Sequence, residues 1–396
     1  MRNIRSWSLL ALSALLLVAC GGGDPTVPGT GSPAGAPTTK GTFTAVVSFG
    51  DSLSDAGAYA PATSLAGNGT APYFGGKFTT NSAASTVWVE NLATKLGVLV
   101  TPAEVGFNGV SVKCPAAGLG APNSCTAYGQ GGSRVTSVDG IGRNPVTGAG
   151  ALTVPLATQI DNHLARFTSF KASDLILVYG GSNDVFVQFG GFANAAAAIQ
   201  AKAVAGTITA DQASLQLFAA QTAAQAGMKQ AALELAVYVR TKILANGGKY
   251  VAVMTLSDIA DSPFGNSLPA NLRPVLTELS QIFNLWLRDG LTGQPVGIVD
   301  TFTIFKATAA NAAALGFVNT TVPACDVASI SAITGNLVID GSSLFCNSTP
   351  GAPFNGLRAG ASATTWFFAD GVHPTTGGHK AISGAFELKL KEFGWL

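Results

Sequence analysis

The chain has 396 residues, of which 47% are hydrophobic and only 11% charged, and Lys plus Arg (22) nearly balance Asp plus Glu (21). That length is ample for a buried core, and so little charge excludes a disordered chain or a coiled coil. A formal net charge of +1 leaves no basic surplus to neutralise a phosphate backbone, which excludes nucleic acid as the main partner.

At the amino end, Arg2 and Arg5 precede an apolar run from Leu9 to Ala19, followed by Cys20. A bilayer span needs about 20 apolar residues, so this run is too short to cross one. A basic start, a short apolar stretch and small residues read as a secretory signal over residues 1–19, with a buried amino-terminal helix as the alternative. The string Leu17-Val18-Ala19-Cys20 resembles a bacterial lipobox, which implies cleavage before Cys20, lipid on its sulfur and an outer-membrane address. Residues 20–42 are Gly, Pro, Thr and Ser with hardly an apolar side chain, and read as a flexible tether with ends about 25 Å apart. Residues 43–396 are expected to form one domain.

Four further cysteines, Cys114, Cys125, Cys325 and Cys346, make an even count in an exported chain and read as two disulfides. Three pairings are open; the nearest-neighbour one, Cys114 with Cys125 and Cys325 with Cys346, closes loops rich in turn residues. No Cys-x-x-Cys or His-x-x-x-His spacing accompanies them, so no metal is expected.

In chain order, near-continuous apolar runs predict buried strands at Phe43–Phe49, Asp174–Tyr179, Tyr250–Leu256, Gly297–Thr301 and Thr365–Phe368. Helices are predicted over Ser85–Leu96, Pro274–Leu291, Thr303–Leu315 and an Ala-rich region from Phe192 to Asn246, broken at Gly206 and Gly227 and ended by Gly247-Gly248. The Gly-rich stretch from Phe107 to Gly150 has few apolar anchors and reads as a surface excursion. The alternation predicts an α/β fold: a three-layer α/β/α sandwich on a mostly parallel five-stranded sheet.

The first strand runs into Gly50-Asp51-Ser52-Leu53-Ser54-Asp55, and ligands of α/β sheets sit outside the carboxyl ends of strands. Ser52 is therefore placed as a nucleophile, which needs an adjacent base. Of three histidines, His373 follows the last predicted strand in Asp370-Gly371-Val372-His373-Pro374, where Asp370 can curl back onto the imidazole. His163 and His379 fall in helices and read as structural. Gly181-Ser182-Asn183-Asp184 ends the second long strand and could aim a side-chain amide at an oxyanion. The Gly129–Ser133 segment fits neither a dinucleotide fingerprint nor a P-loop.

Taken in chain order, Phe49–Asp55, Gly131-Gly132, Gly181–Asp184 and Asp370–Pro374 resemble the four signature blocks of the SGNH (GDSL) hydrolases, with further likeness to secreted bacterial lipases and esterases in Gly76–Asn81 and Val87–Glu90. The resemblance implies a flavodoxin-like hydrolase fold, Ser52 as nucleophile, His373 as general base, Asp370 as its orienting acid and an oxyanion hole of Ser52 N–H, Gly132 N–H and Asn183. The second block, Ala127-Tyr128-Gly129-Gln130-Gly131-Gly132-Ser133, lacks the family's Asn, which leaves Gly131 as the alternative glycine. The chain ends one helix after His373, and the lipid anchor is expected to stand in for the carboxyl-terminal β-barrel that some relatives carry.

The expected activity is a cofactor-free serine ester hydrolase, monomeric, held at a membrane through Cys20 and acting on lipid or short-chain acyl esters. Phe74, Phe186, Phe189 and Phe367-Phe368 near the motif loops suggest an apolar acyl groove. Open alternatives are a carbohydrate or polyester esterase, an acyltransferase, or a surface lipoprotein that binds without turnover.

Overall fold

The computed structural model describes residues 37–66, 75–351 and 355–396. The expected signal, Cys20, most of the tether and Phe74 lie outside the described residues. The end of the tether is fastened to the domain: Gly41 N–H donates to Trp395 O at 2.9 Å, and Tyr250 Oη donates to Thr39 O at 3.1 Å.

Eight strands are described: β1 (Ala45–Gly50), β2 (Thr101–Pro102), β3 (Glu104–Phe107), β4 (Val110–Lys113), β5 (Cys125–Ala127), β6 (Asp174–Tyr179), β7 (Tyr250–Met254) and β8 (Gly297–Val299). The helices are α1 (Ala60–Ala66), α2 (Trp88–Lys95), α3 (Leu156–Phe167), α4 (Ser182–Val204), α5 (Ala210–Tyr238), α6 (Pro263–Ser267), α7 (Arg273–Gly290), α8 (Thr301–Ala310), α9 (Val327–Ile333) and α10 (Thr376–Glu392). Six strands form one sheet in the order β2-β5-β1-β6-β7-β8, every pair parallel, and β3 with β4 makes a separate antiparallel hairpin.

Alternation along the central strands explains the layering. Phe49 and Val178 are register partners on one face, so Tyr179 points to the other. The Phe49 ring meets His163 of α3 at 5.9 Å. Tyr179 meets Trp88 of α2 and Phe386 of α10 at 6.3 and 6.1 Å. Helices therefore cover both faces, as an all-parallel sheet requires. Val46, Val47, Phe49 and the β6 side chains are at most 4% exposed, and each large apolar one contributes about 1.5–3 kcal/mol by leaving water.

The sheet has six strands rather than five, and the predicted strand at Thr365–Phe368 is not one of them. Trp366 and Phe368 make single bridges to Asn319 and Pro374, so this segment turns back on itself instead of extending the sheet. Its place is taken by β2 and β5, two and three residues long, too short to show a period of two. β5 lies inside the Gly-rich stretch, which is thus only partly a surface excursion: Cys125, Ala127 and Tyr128 are buried.

The Ala-rich region begins earlier than predicted, at Ser182. It breaks around Gly206, but α5 runs unbroken through Gly227. A Cβ at Gly227 would stand 2.4 Å from the Gln188 amide, so this glycine admits a side chain of α4 rather than ending a helix. Both disulfides take the nearest-neighbour pairing, Cys114–Cys125 and Cys325–Cys346. Among the described residues no helix is long and apolar enough to cross a membrane.

Candidate active site

Three adjacent parallel strands, β5, β1 and β6, deliver three loops to one edge of the sheet. Chain order reverses here, with β5 on one side of β1 and β6 on the other, the place where open α/β sheets bind ligands. Gly50, which closes β1, has the Tyr179 carbonyl where a Cβ would stand, 2.3 Å away. Only glycine lets the two strand ends approach so closely. Asp51 then caps a one-turn 3-10 helix, Ser52–Ser54, its carboxylate accepting Leu53 N–H at 3.1 Å.

Ser52 Oγ stands 2.8 Å from His373 Nε2, and His373 Nδ1 stands 2.9 and 2.8 Å from the two oxygens of Asp370. The structure thus joins Ser52, His373 and Asp370, from opposite ends of the chain, in one hydrogen-bonded line. Asp370 Oδ1 also accepts the N–H groups of Val372 and His373 at 2.9 and 2.8 Å, and Oδ2 accepts Ser343 N–H at 2.9 Å. Burial pushes the Asp370 carboxyl upward, but the His373 charge and these hydrogen bonds outweigh it and hold the group well below the usual carboxylate range. It is an anion throughout the pH range in which imidazole titrates. The Phe78 ring, centred 4.8 Å from that of His373, covers the imidazole on one side.

The predicted oxyanion donors converge on the same edge. Gly132 and Ser52 backbone N–H groups donate to nothing among the described residues. Asn183, 6% exposed, spends one N–H on Ser133 O at 2.9 Å, which leaves its other N–H for the cavity it lines. Gly132 has a φ of +79°, and a Cβ there would lie 2.0 Å from the Ile141 carbonyl. The alternative glycine is committed elsewhere: Gly131 N–H donates to Asp55 Oδ2 at 2.9 Å.

Several supporting residues were not assigned from the sequence. Asp55 also accepts Gly57 and Ala58 N–H at 2.8 and 2.6 Å, tying the turn after Ser52 to the glycine loop. Asp184 accepts Arg134 Nε and Val135 N–H at 2.8 and 3.0 Å and holds the far side of that loop. Gln159 of α3 brackets Gly50, accepting its N–H at 2.9 Å and donating to its carbonyl at 2.8 Å. Asp55 and Asp184 stood in the quoted motifs. Gln159 and Ser343 carried no signal. Burial pushes the carboxyls of Asp51 and Asp55 up to about 6.

His163 and His379 both prove to be structural. His379 is fully buried, accepting Trp88 N–H on Nδ1 and facing Phe78 O with Nε2, each at 3.3 Å. His163 stacks on Phe170 at 4.4 Å. Burial lowers their pKa values to about 3 and about 4, so both are neutral at ordinary pH.

A cavity of about 860 Å³ opens over Ser52, Asn183 and His373. Phe186 and Phe189 line it as expected, joined by Phe78, Phe107, Phe264 and Ile141. Phe367 and Phe368 instead wall a smaller neighbouring hollow of about 60 Å³, bounded also by Leu53 and Val372.

Compared with known proteins, the chain matches the family profile described as GDSL-like lipase/acylhydrolase over residues 46–386. No curated protein matches it.

Proposed function

The chain belongs to the GDSL-like lipase/acylhydrolase family, and from that premise we propose that it is a serine carboxylic ester hydrolase working through Ser52, His373 and Asp370. One observation carries the reading: the unbroken line Ser52 Oγ, His373 imidazole, Asp370 carboxylate, with successive contacts of 2.8 Å.

Ser52 Oγ attacks the ester carbonyl carbon while His373 Nε2 takes the hydroxyl proton. The buried Asp370 anion accepts from Nδ1–H, selecting the tautomer that leaves Nε2 free and stabilising the imidazolium that forms. The carbonyl oxygen, now an anion, accepts from Ser52 N–H, Gly132 N–H and Asn183 Nδ2. Collapse expels the alcohol, which takes the proton from His373 and leaves an ester on Ser52. Water attacks that acyl-enzyme with His373 again as base, releasing the acid and restoring the serine. The residues supply nucleophile, base and oxyanion donors without a cofactor.

The aromatic lining of the cavity favours an acyl or alcohol group of substantial apolar surface, so lipid and medium-chain acyl esters lead over acetylated sugars. Export through residues 1–19 and lipidation of Cys20 belong to the same proposal. The two disulfides support it, since such bonds persist in oxidising compartments. The mass of the mature amino-terminal peptide tests this part.

Hydrolysis of p-nitrophenyl esters from acetate to palmitate, run beside Ser52→Ala, tests the activity. The reading expects turnover that vanishes in the variant and an optimum beyond acetate. Equal rates in both proteins would refute it.

A further inference from the structure

Asp370 is held by two kinds of donor. Val372 and His373 N–H come from its own turn and reach only Oδ1. They hold Oδ1 but leave Oδ2, which also faces His373 Nδ1, without a backbone donor from that turn. Ser343 N–H reaches Oδ2 at 2.9 Å from a segment 27 residues away. Among the described residues, Ser343 is the one residue outside that turn that hydrogen-bonds this carboxylate, and this N–H is its backbone contact.

The segment bearing Ser343 is built to stay in place. Asn81 donates its Nδ2 to Ser343 O at 2.8 Å and its backbone N–H to Cys346 O at 2.7 Å. Cys346 is bonded to Cys325. Cys325 N–H in turn donates to the carbonyl of Ala369, the residue before Asp370, at 2.8 Å. Cys325, Ile330, Cys346 and Ala369 form a small core of their own, and both cysteines are at most 1% exposed. The disulfide therefore joins the donor-bearing loop to the segment that carries the acid.

We propose that Ser343 N–H, held by the Cys325–Cys346 disulfide, is a positioning group for the reaction that fixes the plane of the Asp370 carboxylate against His373 Nδ1. The inference rests on the Ser52–His373–Asp370 reading. It gives this disulfide a role in turnover that Cys114–Cys125 does not share.

Ser343→Pro removes this N–H. The position tolerates proline: it opens a 3-10 turn, and Ser342 before it is already extended, at φ −50° and ψ 127°. Ser343→Ala keeps this N–H and removes the hydroxyl, which also helps to lower the Asp370 carboxyl, so the difference between the two variants reads the N–H. Active sites are titrated with a fluorophosphonate, and kcat and KM are measured per titrated site on p-nitrophenyl butyrate. The expected result is a fall of about tenfold in kcat for Ser343→Pro, about the weight of one hydrogen bond to a charged group, with KM little changed. Ser343→Ala, which keeps the N–H, loses clearly less kcat than Ser343→Pro.

The Cys325→Ala/Cys346→Ala pair should lose kcat similarly, and Cys114→Ala/Cys125→Ala should keep it. Wild-type kcat in fully titrating Ser343→Pro overturns the proposal. If that variant yields no titratable sites, wild-type kcat in the Cys325→Ala/Cys346→Ala protein overturns it instead. A wild-type protein that takes no label at all refutes the Ser52 reading itself, a result distinct from either.

Discussion

Replacing Asn183 by Ala separates the chemistry of the site from its architecture. The amide has two N–H groups. One donates to Ser133 O at 2.9 Å and steadies the loop carrying Gly132, and the other is left for the cavity. Loss of the second removes a donor aimed at developing charge, which costs about 10²–10³ in kcat, or about 2.7–4 kcal/mol. Loss of the first leaves a buried carbonyl without its partner, a folding cost of about 1–3 kcal/mol. Set against a typical stability of about 5–15 kcal/mol, that cost lowers the melting temperature but leaves the protein folded at 25 °C. The assay is kcat and KM on p-nitrophenyl butyrate, normalised by fluorophosphonate titration, with a thermal melt alongside. The expected result is full titre, a KM near wild type and a kcat lower by about two to three orders of magnitude. Turnover close to wild type at full titre would refute the oxyanion assignment, and so would a loss of rate matched by an equal loss of titre.

Gly132→Ala should also be costly, because its Cβ meets the Ile141 carbonyl at 2.0 Å and the residue holds a φ of +79°. A fall in kcat of about a hundredfold or more is expected, and wild-type kinetics would count against Gly132 as a donor. Asp51 is raised from 3.8 to about 6 by burial, so the folded chain binds its proton more tightly than the unfolded chain. That contribution to stability is fully present below pH 3.8 and is lost as pH rises through about 6. Asp51→Asn should therefore gain in melting temperature relative to wild type across that window, and a difference that does not change with pH would contradict the cause given. Phe186 lines the cavity and packs edge-on against Phe264 at 5.5 Å. Phe186→Ala should lower kcat/KM for octanoate about fivefold more than for acetate, by loss of apolar contact; an equal effect on both esters would remove Phe186 from acyl binding.

The central strands were legible because burial on both faces makes β1, β6 and β7 continuous apolar runs. The segment Thr365–Phe368 has the same composition but bridges singly to Asn319 and Pro374, since its task is to turn Asp370 and His373 toward Ser52. β5 escaped notice because its three residues sit among glycines. The candidate site was legible where a distinctive residue type follows a strand, as Ser52 and Asn183 do, or sits in a short turn, as Asp370 and His373 do. What supports it was not, because a backbone N–H such as that of Ser343 leaves no mark on the side-chain alphabet. Gln159 looks like any polar position of an amphipathic helix, yet it is 1% exposed and brackets Gly50 with both ends of its amide. Gly227 shows the converse: a residue read as a break serves as a place of close approach between α4 and α5.

The most direct test of the account is to treat the protein with a fluorophosphonate and locate the adduct by peptide mass. The account predicts one adduct, on Ser52, formed in the wild type and absent from both Ser52→Ala and His373→Ala. An adduct on another serine, or esterase turnover that survives Ser52→Ala, would contradict it.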